Sequence, residues 1–157
     1  SGLISGLVAI TPACGAVSPL GAVAIGAIAG LVCSLAIELK FRLGYDDSLD
    51  VVGVHLVGGV IGTLLIGFFA TAAAPNGISG LFYGGGWSLL GIQAVATVAV
   101  LVYSFVLTWA IAKVLDLAMG LRVPEEHEVR GIDMAAHSES AYLNEEEPAE
   151  LGAPARP

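Results

Sequence analysis

The chain contains 157 residues, of which 56% are hydrophobic and only 13% are charged. Residues 1–37 and 51–112 carry no Asp, Glu, Lys or Arg, whereas about a quarter of the residues in a soluble domain are charged. Charge-free runs of this length exclude an ordinary globular domain, a disordered chain and a nucleic-acid-binding protein. They indicate an integral membrane protein in a lipid bilayer.

Apolar segments long enough to cross a membrane follow one another along the chain. A membrane-spanning helix needs about 20 apolar residues, and three stretches satisfy this requirement: residues 20–39, 51–71 and 88–118. Residues 1–13 form a shorter apolar segment that Thr11 and Pro12 interrupt. We expect this segment to be the end of a span, and the chain to be a fragment. The sequence therefore predicts an all-α membrane fold over residues 1–120, with the first of four spans truncated.

Most of the net charge of −8 belongs to the C-terminal end of the chain. Residues 1–120 contain three basic and five acidic residues, a net charge of −2, whereas residues 121–157 contain three and nine, a net charge of −6. The loops at residues 13–19 and 71–87 lack Lys and Arg, whereas residues 38–50 and the acidic tail contain them. Because basic residues favour the cytoplasmic side of a membrane, we expect residues 38–50 and the tail to be cytoplasmic.

Small residues recur at intervals of four within the apolar segments, as in the pairs Gly26/Gly30 and Gly58/Gly62. Helices in lipid attract one another largely by close backbone approach through small residues. The pattern therefore predicts a packed bundle of several helices.

His55 is the one residue among the Asp, Glu, Lys, Arg and His types within residues 51–112. A histidine inside the membrane is costly, and by default it faces a pathway or a partner within the bundle. A neutral imidazole offers one N–H donor and one bare nitrogen acceptor. This chemistry suits a small polar solute that sheds its water, or a proton relay. Asp47, Ser48 or Asp50 can cap the helix that carries His55.

Two other interpretations of His55 stay open on spacing alone. The first is a structural imidazole bonded to a Ser, Thr or carbonyl of a neighbouring helix. The second is an axial haem ligand in a membrane cytochrome subunit. The spans contain no second His, phosphate-binding loop or paired carboxylate, so we predict no enzyme activity, no metal site and no cofactor.

Four segments resemble motifs of the ammonium transporter family (Amt/Mep/Rh), in the order and spacing of that family. Residues 6–15 read GLVAITPACG, residues 50–59 read DVVGVHLVGG, residues 120–126 read GLRVPEE, and residues 131–142 read GIDMAAHSESAY. The resemblance covers nearly all of this chain but only the C-terminal part of the family's fold.

The resemblance implies an eleven-helix subunit of the plasma or inner membrane, with its C-terminus in the cytoplasm, assembled as a homotrimer with a pore in each subunit. The spans of this chain would be the last four. In the family, two histidines from separate helices line a narrow hydrophobic pore, and His55 matches the second of them. Asp47 and Asp50 match acidic positions at the cytoplasmic start of the same helix, where a structural role is expected.

The tail resembles the family's cytoplasmic regulatory segment, which contacts the neighbouring subunit. In many bacteria a PII signal protein docks on that face. Two residues depart from the family pattern, because Leu56 and Ser138 stand where the family usually has Gly. The tail positions that match the family are Arg122, Glu126, Gly131, Asp133, His137, Glu139 and Tyr142.

The function implied by this resemblance is transport of ammonium or ammonia for nitrogen uptake, with His55 on the conduction path. The alternative is an ammonium sensor of the same fold that signals through its cytoplasmic tail.

Overall fold

The computed structural model describes residues 1–139, and their secondary structure is helical. The chain divides into two compact units, one over residues 1–107 and one that begins at Thr108. Within the described residues, which contain no strand, an isolated antiparallel bridge joins Val17 to Ala70. The predicted all-α fold is therefore confirmed. Its helices are α1 (Gly2–Ile10), α2 (Pro19–Leu43), a π-helical segment (Val51–Leu56), α3 (Val57–Phe69), a short 3-10 helix (Leu81–Tyr83), α4 (Ser88–Met119), α5 (Glu125–Arg130) and α6 (Ile132–His137).

Three helical stretches are long and apolar enough to cross a membrane: Pro19–Leu43, Val51–Phe69 and Ser88–Met119. Helix α2 continues beyond the predicted end of its span at residue 39. Lys40 and Arg42 lie in its last turn, where positive side chains interact favourably with the carbonyl end of a helix. Gly44 then ends the helix with a φ of 69°, in the left-handed region that favours glycine.

The core of the first unit is built mainly from small side chains, together with Ile25 and Ile66, while most large apolar side chains face outwards. Ala9, Ala13 and Ala29 are fully buried, whereas large side chains such as Leu31 and Phe105 are exposed. A soluble protein shows the opposite preference for large apolar residues. The arrangement suits a bundle whose exterior is solvated by lipid and whose helices meet through small residues.

Glycines bring α1, α2 and α3 into close contact. A Cβ atom at Gly62 would lie 2.2 Å from the backbone oxygen of Ala9, and one at Gly58 would lie 3.3 Å from the Val8 Cγ1. A Cβ at Gly6 would lie 3.9 Å from the Cα of Gly26. The predicted close approach is thus confirmed at Gly58 and Gly62. It does not hold at Gly26 or Gly30, where an added Cβ atom would meet nothing within 4 Å.

The loops between the helices are tied together at one end of the bundle. The Thr71 N–H donates to the Ala16 carbonyl at 2.9 Å, and the Asn76 N–H donates to the Gly15 carbonyl at 2.8 Å. The Phe82 ring packs against Phe69 with ring centroids 5.3 Å apart. These contacts fix the path of the chain from the end of α3 to the start of α4.

Asp47 lies in the loop before the segment that carries His55, and its side chain binds the first two N–H groups of that segment. Its Oδ1 accepts the Val51 N–H at 2.7 Å, and its Oδ2 accepts the Val52 N–H at 2.9 Å. Asp47 is therefore the residue, among the three predicted candidates, whose side chain caps the segment. The first turns of this segment are π-helical, which was not predicted: the Val57 N–H donates to the Val52 carbonyl five residues earlier.

We expect Gly62→Ala to destabilise the intact protein, because its Cβ atom would overlap the Ala9 backbone. Overpacking of this kind costs about 1–3 kcal/mol. The apparent melting temperature in detergent should fall for Gly62→Ala and stay near the wild-type value for Gly30→Ala, where a Cβ has open space. Equal melting temperatures for the two variants would contradict this packing.

Asp47→Ala should loosen the start of the π-helical segment, since two backbone N–H groups lose their acceptor. Loss of a cap costs about 0.5–2 kcal/mol, so hydrogen–deuterium exchange over residues 51–56 should accelerate. Asp47→Asn, which keeps one oxygen acceptor, should give an intermediate rate. The control is Leu49→Ala, at a side chain that is 83% exposed in the same loop. Unchanged exchange in Asp47→Ala would refute the capping role.

Candidate functional site

His55 lies in the last turn of the π-helical segment, and its side chain is exposed. It lines a groove of about 330 Å³ within the first unit. Both the segment that carries His55 and the facing part of α4 contribute to the walls. Lining residues besides His55 include Pro12, Leu56, Thr63, Thr97 and Leu101.

The groove exists because α3 and α4 contact each other closely at one end only. At Gly67, near the end of α3, a Cβ atom would lie 2.6 Å from the Cα of Leu90 in the first turn of α4. Leu89 also packs against the core. No residue of α4 is buried along its length. The two helices therefore leave an apolar space beside His55.

The His55 imidazole differs from the two hydroxyl groups of this groove because they are bonded within their own helices. The hydroxyls of Thr63 and Thr97 donate to the Gly59 and Gln93 carbonyls of their own helices, each at 2.8 Å. Within residues 1–139, no hydrogen bond engages the His55 ring nitrogens. In this described part of the chain, then, the imidazole is not tied to a neighbouring Ser, Thr or carbonyl. It presents its donor and acceptor atoms to an apolar space.

The opposite face of the π-helical segment packs on α2 and so fixes the direction of His55. A Cβ atom at Gly53 would lie 2.7 Å from the Ile37 Cγ1 and 3.1 Å from the Ile37 backbone. Val54, the residue before His55, is buried. Because Gly53 and Val54 contact the bundle, His55 and Leu56 are the residues of this turn left facing the groove. Leu56 thus lines the groove directly beside His55.

Asp47 and Asp50 lie together before this segment and share a cation. The Lys40 ammonium donates to the Asp47 carbonyl at 2.9 Å and pairs with the Asp50 carboxylate. From the sequence, Lys40 was expected only to mark the membrane orientation, and its contact with Asp47 and Asp50 was not predicted. A single Lys between two charge-free runs, close to three Asp residues, indicates that an ion pair can form but not with which Asp.

The second unit holds the predicted tail residues, of which Arg122 makes a bidentate ion pair. Its Nε and Nη2 donate to the two carboxylate oxygens of Glu128, each at 3.2 Å. Glu128 was not among the predicted residues, although it lies six positions after Arg122. Gly131 joins α5 to α6 with a φ of 94°. Of the other predicted positions, Glu126 is in α5, Asp133 and His137 are in α6, Glu139 follows it, and Tyr142 lies outside the described residues.

Comparison with known proteins identifies relatives of this chain. A model of the Ammonium Transporter Family matches residues 1–142. The chain is 55% identical over 148 residues to a protein of Mycobacterium tuberculosis named "Ammonium transporter", covering 90% of this chain and 31% of that relative. An "Ammonium transporter" of Bacillus subtilis is 46% identical over 144 residues, covering 90% of this chain and 35% of its own length.

Solved structures show the same similarity. The crystal structure of Candida albicans Mep2 matches with a TM-score of 0.68 at 34% identity, covering 80% of this chain and 29% of that one. A structure described as "Sensor Amt Protein" matches with a TM-score of 0.73 at 36% identity, covering 87% and 33%. The match to the family model and the three membrane-length helices both indicate a membrane transporter fold. The chain is a multi-pass membrane protein that belongs to the ammonium transporter family.

Proposed function

We propose that this chain is part of a transporter that conducts ammonium or ammonia across the membrane, with His55 on the conduction path. The observation that carries the proposal is the exposed imidazole in the apolar groove between α3 and α4. The similarity to proteins named ammonium transporters supports the choice of substrate.

The proposed mechanism follows from the chemistry of the groove. Ammonium is desolvated at the outer side and moves past the neutral imidazole as ammonia. Its proton stays outside or is relayed by His55 and a second histidine. In the proposed pair of pore histidines, this chain supplies His55. An apolar wall offers no ligands to replace the water of a hydrated ion, so such ions are excluded. The imidazole supplies the hydrogen-bonding atom that a small polar solute needs in this setting.

The assembly and surroundings of the transporter are part of the same proposal. We place it as a homotrimer in the plasma or inner membrane, with residues 38–50 and the C-terminal tail in the cytoplasm, since these segments hold five of the six basic residues. The tail is proposed to regulate the pore through the predicted residues, and a PII signal protein is its candidate partner. The Arg122–Glu128 ion pair supports an ordered arrangement at the start of the tail.

The second candidate function is an ammonium sensor. One structural neighbour with a TM-score of 0.73 is described as a sensor protein. A sensor binds ammonium and changes the state of its tail without net flux. Ammonium binding by calorimetry, with no flux into proteoliposomes, would favour this alternative over transport.

We expect His55→Ala to abolish ammonium transport by the intact protein or to remove its selectivity over potassium. The reason is that the apolar groove loses the imidazole that can hydrogen-bond to the solute. Flux into proteoliposomes containing purified protein measures the effect directly. The matched control is His127→Ala, which removes an exposed histidine of α5 and should leave flux and selectivity unchanged. Wild-type flux and selectivity in His55→Ala would contradict the proposed role of His55 on the conduction path.

A further inference from the structure

Lys40 reaches from the last turn of α2 to the loop that precedes the π-helical segment. Its ammonium contacts two groups there, the Asp47 backbone carbonyl and the Asp50 carboxylate. The Lys40 and Asp50 side chains are largely buried, with 15% and 23% of their surface exposed. Removing one partner of such a pair leaves the other charge buried and uncompensated. The pair therefore couples the end of α2 to the beginning of the His55 segment.

Asp50 holds an uncommon backbone conformation at this junction. Its φ of 56° and ψ of 32° place it in the left-handed region, which non-glycine residues seldom occupy. Its carbonyl accepts the Val54 N–H at 2.8 Å, and its own N–H donates to the Asp47 carbonyl at 3.3 Å. The Lys40 ammonium binds both that same carbonyl and the Asp50 side chain. Lys40 thus holds the residue from which the π-helical segment starts.

The register of this segment decides where His55 points. Each residue of an α-helix turns by about 100° around the axis, so a change in the winding of the first turns redirects every later side chain. π-helical turns are rare and frequently lie at functional sites. Here the winding puts Gly53 against Ile37 and leaves His55 on the groove.

We propose that Lys40 is a positioning residue for His55, acting through Asp50. Its ammonium holds Asp50 in the left-handed conformation, and this fixes the π-helical register that aims the imidazole into the groove. The inference rests on the proposed function, since it takes His55 to line the conduction path.

Three variants in the intact protein test this inference. Lys40→Met keeps the length of the side chain without its charge, and Lys40→Arg keeps the charge and the donors. Arg42→Met is the control, because it removes an exposed basic residue from the same turn. Ammonium and potassium fluxes are measured in proteoliposomes, and hydrogen–deuterium exchange is followed over residues 51–56.

We expect Lys40→Met to lower ammonium flux or its selectivity over potassium roughly tenfold, because small misplacements of a functional group are costly. Exchange over residues 51–56 should accelerate in the same variant, while exchange over the middle of α2 stays at the wild-type rate. Lys40→Arg should restore transport in large part, and Arg42→Met should match the wild type. If Lys40→Met does not accumulate in the membrane, Asp50→Asn tests the same pair and should reproduce its effects.

Wild-type flux and selectivity in the variants that remove the Lys40–Asp50 pair would overturn the inference. So would a uniform acceleration of exchange along α2, since that marks general destabilisation. His55→Ala, measured in parallel, separates this failure from failure of the proposed function. Loss of transport in His55→Ala with wild-type behaviour in Lys40→Met refutes the role of Lys40 alone. Unchanged transport in His55→Ala refutes the proposed conduction path itself.

Discussion

Helices in a membrane gain little from hydrophobic contact with each other, because lipid tails are as apolar as their side chains. Their association depends on how closely their backbones approach. In this protein the approach is made at a few glycines, where α1 crosses α3 at Gly62 and the π-helical segment meets α2 at Gly53. The same contacts determine which faces stay open. Packing of Gly53 and Val54 inwards is what leaves His55 on the groove.

The groove also depends on the contact between α3 and α4, which is close only where Gly67 meets Leu90. Helix α4 meets α3 tightly at the Gly67–Leu90 approach, and none of its residues is buried. A uniform pairing of the two helices would fill the space beside His55 with side chains. The confined contact keeps an apolar space next to a polar group, and this combination underlies the proposed conduction of a small solute.

Much of the fold could be predicted because lipid imposes a simple rule on sequence. A segment that crosses a membrane carries few or no charged residues, so the charge-free runs indicate where the helices lie, and Thr11-Pro12 marks the end of the first one. The capping role of Asp47 was among the predicted options because Asp is a common cap residue. The roles of His55 and of the tail residues rest on resemblance and stay predictions.

The π-helical turns and the Lys40–Asp50 pair were missed because both depend on how the loop at residues 44–50 folds back. The conformation of this loop cannot be predicted from any periodic pattern in the sequence.

The left-handed backbone and the buried ion pair place two separate demands on position 50. Glycine would satisfy the backbone most easily, but it carries no charge for Lys40. Glutamate would supply the charge, but its longer side chain gains nothing from the local bonding that makes Asp and Asn tolerable in this conformation. Asparagine would suit the backbone and leave the ammonium without a counter-charge. Aspartate alone meets both demands among these four, so a neutral residue at position 50 leaves the Lys40 ammonium without its counter-charge. Fewer amino acids can therefore occupy positions 40 and 50 than the partial exposure of their side chains would suggest.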